Sequence, residues 1–500
     1  MTALYEDEHL VLQRLEKVAD LRRRGIDPYP IHTGRTHEAA QVVAAFEQEP
    51  ALQVCVAGRL VGAKRIKGGQ SFAHLLDGSG RIQISFRRDL LGEEQYDFFR
   101  DSIDPGDFFR ARGETFRTRS GEISVQATEI ALLAKALREP PDKWHGLTNP
   151  EVRLRRRYLD LVANPDVRVV FEKRARAIQA LRAMLFARGF LEVETPVLQS
   201  LAGGGAARPF ETHSNALEEK QFLRIALELF LKRCIIGGID RVFEIGKIFR
   251  NEGISFKHHP EFTMLELYQA YADYQDIMRL TEDMVAEMAR AVNGSLTIER
   301  ASREEGGAPI LMDFTPPWRR LTLREALITY SGVDYREHRT NEALIAAARR
   351  AGLQAASDWN RGKVLDELLT LFVEPNLQQP TFLLDYPVEY PGSTLAKRKP
   401  GQEDEVERFE GFAGGMELAN AFSELNDPLD QRGRFEEQKR LKAAGDLEAQ
   451  PFDADFIEAL EYGMPPTGGL GVGLDRVVML LTGQSSIREV VLFPQMRSRG

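Results

Sequence analysis

Hydrophobic positions recur near helical spacing at the start of the chain. Leu10, Leu12, Leu15, Val18 and Leu21 predict a helix over 8–25, with Gly25 as its C-terminal cap. Asp27-Pro28-Tyr29-Pro30 ends it, and the polar stretch to Pro50 reads as connector. From Leu52 the period becomes two: Val54, Val56, Gly58 and Leu60 alternate with other residues, and Ser71-Phe72-Ala73-His74-Leu75-Leu76 gives a second short strand. The turn Asp77-Gly78-Ser79-Gly80 leads into Arg81-Ile82-Gln83-Ile84-Ser85, and further strands follow near 107–116 and 123–128. Five short strands with glycine turns over about 80 residues predict a small β-barrel of the OB type. Glu139-Pro140-Pro141-Asp142 closes this module.

Arg153 to Arg157 carries four arginines and leads into a long helical pattern. Phe171, Ile178, Leu181 and Leu185 mark its buried stripe, and Gly189 caps it. Strands, helices and glycine turns then alternate without βαβ regularity, which predicts a large mixed domain on an antiparallel sheet flanked by helices, hence an α+β fold. Residues 275–370 read as a mostly helical insertion. The expected organisation is a helix and connector over 1–50, the barrel over 51–143, a linker over 144–170 and the large domain over 171–500.

Composition narrows the classes. Apolar residues make up 43% and charged residues 28%, an ordinary globular balance that excludes a disordered chain. No apolar run approaches the roughly 18 residues that span a bilayer. The acidic start, Met1 to Glu8, argues against a secretory signal. Cys55 and Cys234 lie far apart with no CxxC pair, which excludes a disulfide scaffold and a cysteine-type zinc site and fits a reducing cytoplasm. The net charge of −9 argues against non-specific coating of nucleic acid. Between Ala51 and Arg157, however, 19 basic residues face 14 acidic ones, a basic module on an acidic body.

The familiar phosphate loops are missing. Gly246-Lys247 is followed by Ile248, so there is no P-loop. Gly469-x-Gly471-x-Gly473 runs into Leu474-Asp475-Arg476, which breaks the dinucleotide fingerprint, and by itself such a run reads as a tight turn. Val242 to Tyr268 says more. In an extended strand Arg250 shares a face with Glu244 and Gly246, and the next strand puts Phe262, Met264, Glu266 and Tyr268 on one face. A hairpin across the polar loop from Gly253 to Pro260 would gather an arginine, carboxylates, an aromatic ring and a tyrosine hydroxyl on one surface. A solvated sheet face would seldom carry Phe262, Met264 and Tyr268 together, so this surface reads as a site.

Arg188-Gly189-Phe190-Leu191-Glu192-Val193-Glu194-Thr195-Pro196 resembles the first motif of the class II aminoacyl-tRNA synthetases. Phe249-Arg250-Asn251-Glu252 through Glu261-Phe262-Thr263-Met264-Leu265-Glu266 resembles the second, and Gly469 to Arg476 the third. Each is weak alone, but three in order behind an OB-like module are highly specific. Within that class the chain is similar to the bacterial lysyl-tRNA synthetases over nearly its whole length. Ala207-Arg208-Pro209-Phe210, Gly253-Ile254-Ser255 and Phe422-Ser423-Glu424-Leu425-Asn426-Asp427 add to the likeness.

The resemblance implies ATP-dependent activation of L-lysine and its transfer to tRNA(Lys). Carboxylate attack on the α-phosphate depends on positioning and charge neutralisation. Arg250 is the natural clamp, its fork matching both anions. Arg476 stands before the apolar stretch Val477 to Leu481, where a cation opposes the helix dipole, so a functional role is expected. By resemblance Arg476 packs on adenine and reaches the outer phosphates, Phe262 stacks under the base, and Glu252 and His258 hold base and phosphates. Mg²⁺ is implied with Glu410 and Glu417 as ligands, although Glu417 has the wrong strand parity relative to Asn420 and Glu424, so a bulge is needed. A lysine ammonium needs carboxylates around it, and Glu266, Tyr268 and Glu424 provide negative charge and an acceptor. Glu228 and the backbone near Gly204 are expected at the α-amino group and Asn420 at the carboxylate. Phe72, Arg65, Gln83 and Glu122 are expected around the anticodon, with Phe72 stacking on a base. A homodimer is implied, since the first motif would otherwise expose Phe190, Val193 and Val197.

Three rivals remain on sequence grounds. A tRNA-independent lysine-adenylating enzyme that modifies a protein would lack the barrel. An aspartate or asparagine enzyme is disfavoured by Glu424, where the aspartate relatives carry arginine. A non-catalytic binding paralogue would have no use for Arg250, Glu252 and Arg476. The chain departs from the family at Leu227, where a proline usually precedes the glutamate, at Gly205 for alanine, and at Ala419 and Ala421 for glycines.

Overall fold

The computed structural model describes residues 9–140, 147–205, 207–300, 308–443 and 449–497. The chain divides into two compact units, Met1–Pro165 and Asp166–Gly500.

In the first unit, β1 (Gln53–Lys67), β2 (Gln70–Leu76), β3 (Arg81–Arg87), β4 (Phe108–Arg117) and β5 (Ile123–Ala134) close a barrel in the order β1-β2-β3-β5-β4. Period-two alternation turns Val54, Val56, Leu75, Ile84, Phe109 and Val125 inward. Tyr96 and Phe99, from the helix Glu93–Ser102, join that core, and Phe99 stacks on Phe86 at 3.7 Å. The first helix runs His9–Arg23, but its buried stripe is Val11, Arg14, Val18 and Leu21, and Leu10 is exposed. Arg14 displaces the expected leucines because its guanidinium donates to Ala136 O at 2.7 Å and Pro105 O at 3.0 Å. The expected boundary at 143/144, with Asp142, falls outside the described residues. The segment expected as linker carries two short helices, Pro150–Arg155 and Arg157–Ala163, and position 171 lies inside a continuous helix, Pro165–Ala187. A start at 171 is therefore too late; Val167 is already buried on that helix.

The second unit is built on a nine-stranded sheet. Its strands are β6 (Leu191–Glu192), β7 (Arg241–Phe249), β8 (Glu261–Ala270), β9 (Arg319–Thr322), β10 (Thr381–Pro387), β11 (Arg398–Lys399), β12 (Gln402–Ala413), β13 (Met416–Ser423) and β14 (Thr467–Gly473). The order is β9-β10-β12-β13-β14-β8-β7-β6, with β11 on β12. All pairings are antiparallel except the two edge pairs, β9 with β10 and β6 with β7. One face packs Leu265, Leu267, Ala419, Ala421, Leu470 and Val472 under the helices Pro165–Ala187, Tyr274–Asn293 and Leu474–Leu481.

Residues 275–370 are not a separate insertion. Tyr274–Asn293 covers the main sheet, and β9 is one of its strands. The helices Leu323–Ser331, Asn341–Arg350 and Arg361–Leu368 extend the core on the other face. Phe190, expected at an open surface, is buried against Leu185 and Phe243. Val193 is half-buried and Val197 exposed, and the exposed apolar residues around the first motif also include Phe186, Leu191, Leu198 and Leu201.

Candidate active site

Cross-strand register assembles the site. Glu244, Glu266, Gly471, Asn420 and Glu410 form one row across β7, β8, β14, β13 and β12. Val242, Tyr268, Gly469, Phe422 and Arg408 form the next. The glycine run is thus a central strand and not a turn: at period two, Gly469, Gly471 and Gly473 all point to this face and leave it hollow. A Cβ at Gly471 would come within 2.8 Å of Met264 Cε. Glu244, on the same row, is not available to a ligand. Arg224 Nη1 pairs with its Oε1 at 2.5 Å, and Thr195 donates its N–H to Oε2 at 3.0 Å.

The carboxylate pocket holds Glu228, Glu266 and Glu424, all buried. Glu266 Oε2 accepts the Tyr268 hydroxyl at 3.1 Å and Oε1 the Leu227 N–H at 2.8 Å. Burial and the nearby Glu228 push Glu266 up to about 7, against the Leu227 and Tyr268 hydrogen bonds and the Arg250 charge. Glu424 is 1% exposed; its Oε2 is in ion-pair contact with Lys232 Nζ, and its Oε1 accepts no hydrogen bond among the described residues. Its pKa is raised well above the usual carboxylate range, by burial first and with Glu228 and Glu266 adding to it, against the opposing charge and hydrogen bond of Lys232. Gly204, at φ +82°, lies over the helix Glu228–Ile236; a Cβ there would sit 3.2 Å from Glu228 Cβ.

Sequence reading missed Lys232. It is fully buried, its Nζ lies 2.6 Å from Glu228 Oε1 and in ion-pair contact with Glu424, and the Phe422 and Phe456 rings stand 5.6 and 5.9 Å away. The available signal was Glu228 and Lys232 at i, i+4 on an apolar helix, one turn apart on the same side.

Next to this pocket, Arg250 lies over the Phe262 ring at 5.4 Å and is half-buried. Burial opposes its charge, as does Arg476, whereas Glu252, Glu417 and Glu266 support it, so the two expected groups of residues meet at Arg250. Arg476 Nη1 donates to Glu417 O at 2.8 Å and Oε2 at 3.1 Å, and its Nε to Lys257 O at 3.3 Å. Asp475, also missed, accepts the Thr263 N–H at 2.6 Å and pairs with Arg174, which ties the third motif to β8. Partial desolvation and the cations Arg476 and Lys257 push His258 down to about 4, leaving the ring neutral. Glu252 is exposed.

The parity problem at Glu417 is resolved by a bulge. Gly411 pairs with Ala419 but Phe412 with Glu417, so Leu418 is an extra residue and Glu417 shares the face of Glu410 and Asn420. Glu410 Oε1 takes Arg408 Nη2 at 2.7 Å and Oε2 the Tyr386 hydroxyl at 2.8 Å. Burial, with Glu417 adding repulsion, pushes Glu410 up to about 7 despite Arg408. Two carboxylates that repel each other fit a hard divalent cation. Among the described residues no group of three or more His, Cys, Asp or Glu could hold a metal, so such an ion would also need oxygens from the substrate. Asn420 Oδ1 accepts Arg408 Nε at 3.1 Å.

Three of the four departures are sterically accommodated, in different ways. Ala419 and Ala421 point to the opposite face, into the helix-covered core. A Cβ at Gly205 would meet nothing closer than 3.8 Å, so alanine would also fit there.

In the barrel, Phe72 and His74 alternate with the inward Ser71, Ala73 and Leu75, and both are half-buried. Arg65 is opposite Phe72. Glu122 holds His74 Nε2 at 2.9 Å through Oε1 and accepts Gln83 Nε2 at 2.7 Å through Oε2. The four expected residues share one region, to which His74 is added. Phe72 is absent from the barrel core.

The family description tRNA synthetases class II (D, K and N) matches residues 149–497, and OB-fold nucleic acid binding domain matches residues 54–133. The chain is 52% identical over 496 residues to a lysine–tRNA ligase of Roseiflexus castenholzii, covering 99% of this chain and all of that one. It is 51% identical to one of Chloroflexus aurantiacus, covering 98% of each. To one of Bacillus subtilis it is 48% identical, covering 97% of each.

Proposed function

The chain belongs to the class II tRNA synthetases of the D, K and N group, and we propose that it activates L-lysine with ATP and transfers it to tRNA(Lys) in protein synthesis. The observation that carries the lysine reading is the buried cluster of Glu424, Glu228 and Glu266, in which Lys232 meets Glu228 and one oxygen of Glu424 while Glu424 Oε1 accepts no hydrogen bond among the described residues. Three carboxylates against one internal cation leave a negative pocket that welcomes an ammonium and repels an aspartate side chain.

Glu266, Tyr268 and Glu424 take the ε-ammonium. Glu228 and the Gly204 backbone take the α-amino group, and Asn420 orients the carboxylate. Arg250 bridges that carboxylate and the α-phosphate, neutralising charge as the attack proceeds. Phe262 lies under adenine, Arg476 packs on the other side and reaches the outer phosphates, and Glu252 and neutral His258 donate or accept at the base and phosphates. Glu410 and Glu417 would hold Mg²⁺, which supplies charge neutralisation at the triphosphate when bound. In the barrel Phe72, Arg65, Gln83 and Glu122 read the anticodon. The exposed apolar residues of the first motif and the open sheet edge at β6 support a homodimer. No helix among the described residues is long and apolar enough to cross a membrane. We place the enzyme in the cytoplasm because protein synthesis there consumes its product.

ATP–pyrophosphate exchange across all amino acids, followed by charging of tRNA(Lys), tests the reading. Exchange with lysine alone and charging of that tRNA are expected. Exchange with aspartate or asparagine, or lysine exchange without charging, would overturn it.

A further inference from the structure

Leu227 immediately precedes the helix Glu228–Ile236, with φ −101° and ψ −16°. Its side chain is fully buried in the apolar core, where leucine needs no special explanation. Its main chain does something different. The N–H points at the pocket and donates to Glu266 Oε1 at 2.8 Å.

Resting on the pocket reading above, we infer that the Leu227 main-chain amide is a positioning group that fixes the Glu266 carboxylate for the ε-ammonium of lysine. With Oε1 held by this amide and Oε2 by the Tyr268 hydroxyl, the carboxylate plane is set from two sides. Each oxygen keeps a further lone pair for a substrate donor. The amide also favours the ionised form, acting against burial and Glu228. The other charged or titratable groups facing this carboxylate are Tyr268 on its own strand, Arg250 after β7, Glu228 on the helix and Glu424 just after β13, the last two both paired with Lys232. Glu244, directly across on β7, is already held by Arg224.

A proline at 227 lacks this N–H, and its ring prefers φ near −65°, away from the −101° found here. Leucine at this position therefore gives Glu266 a donor that proline could not provide.

The test is ATP–pyrophosphate exchange by the full-length protein between pH 6.5 and 8.5, with Leu227→Pro compared with Leu227→Met, which keeps both the amide and the bulk. Loss of a hydrogen bond to a charged group should raise the lysine KM of the proline variant roughly tenfold over that of the methionine variant. The ATP KM should stay the same in both. The lysine ratio should shrink as pH rises, because Glu266 then ionises without help. Replacing Leu227 by its α-hydroxy acid puts an ester oxygen in place of the N–H without a ring, and should act in the same direction even where the proline variant misfolds. Equal lysine KM values in the ester protein and wild type, or a pH-independent ratio accompanied by an equal rise in ATP KM, would overturn the inference. Glu266→Gln separates the two levels. If that variant binds lysine normally, the pocket reading itself fails; if it loses lysine while the ester and proline variants do not, only the role of Leu227 fails.

Discussion

Gly469 stands where any side chain would strike Glu424. A Cβ there would lie 1.8 Å from Glu424 Oε1 and 2.5 Å from Tyr268 Cε1. These are far inside contact distance, and Gly469 is on a central strand with neighbours on both sides. The strand cannot give way cheaply, so the carboxylate or the tyrosine must. A displacement of about 1 Å in a positioning group costs on the order of 10²-fold. Gly469→Ala should lose lysine-dependent exchange by that order with the ATP KM kept. A wild-type lysine KM in this variant would show that the pocket floor can yield.

Glu266 makes stability depend on pH before lysine binds. Its pKa is raised from 4.5 to about 7, so the fully present stabilisation below pH 4.5 is lost as pH rises through 7. At 1.36 kcal/mol per unit this is about 3 kcal/mol. The melting temperature of lysine-free protein should fall between pH 5 and 8, less steeply in Glu266→Gln, and saturating lysine should offset the fall. Identical pH profiles for the two proteins would remove Glu266 as the cause, leaving Glu410 and the other buried carboxylates.

Strand parity made part of this site legible from sequence. The alternation through Phe262, Met264, Glu266 and Tyr268 needs only local spacing, and the parity of Glu417 calls for a bulge, which the register places at Leu418. The glycine run was misread because its reason is non-local: Glu424, which occupies the space above Gly469, lies 45 residues earlier in the chain and one strand away. Arg14 in the first helix was missed for the same reason, since its acceptors are carbonyls at 105 and 136. Lys232 was visible as an i, i+4 partner of Glu228, but nothing in the sequence brings Glu424 to it.

Phe72 tests the barrel. Its position between inward-facing neighbours leaves it on the side with Arg65, His74 and Glu122. Phe72→Ala should raise the tRNA KM in charging by the equivalent of about 1–3 kcal/mol, the worth of one base–aromatic stack. Lysine-dependent exchange, which needs no tRNA, should be spared. An equal fall in both activities would make Phe72 a structural residue.

The carboxylate pair on β12 and β13 should set the metal requirement. Glu410→Gln and Glu417→Gln each remove oxygen charge, so the Mg²⁺ concentration for half-maximal exchange should rise in both. The two variants should differ otherwise. Glu417→Gln also weakens the partner of Arg476 and should raise the ATP KM, whereas Glu410→Gln leaves Arg408 with less to hold. An unchanged Mg²⁺ dependence in both would take these residues out of the metal site.

Glu424 has two competing explanations. It is either the counter-charge for the substrate ammonium or the second half of a buried structural pair with Lys232. The structural reading predicts that Glu424→Gln strands Lys232, and breaking a buried pair costs about 3–5 kcal/mol of stability. Lys232 keeps Glu228 at 2.6 Å, however, so the loss of one partner leaves its charge compensated. The substrate reading predicts a modest change in melting temperature and a loss of lysine-dependent exchange by orders of magnitude, with the ATP KM retained. Glu424→Arg should be worse on both counts, because it sets a cation against Lys232 as well as against the substrate. Lys232→Met provides the complementary arm. It leaves Glu228 and Glu424 without their cation, so its melting temperature should fall, and the fall should be larger at pH 8 than at pH 5, where raised carboxylate pKa values let protons replace the missing charge. If Glu424→Gln melts several degrees lower yet binds and turns over lysine normally, the carboxylate serves Lys232 alone, and the selectivity for lysine must come from Glu266 and Tyr268.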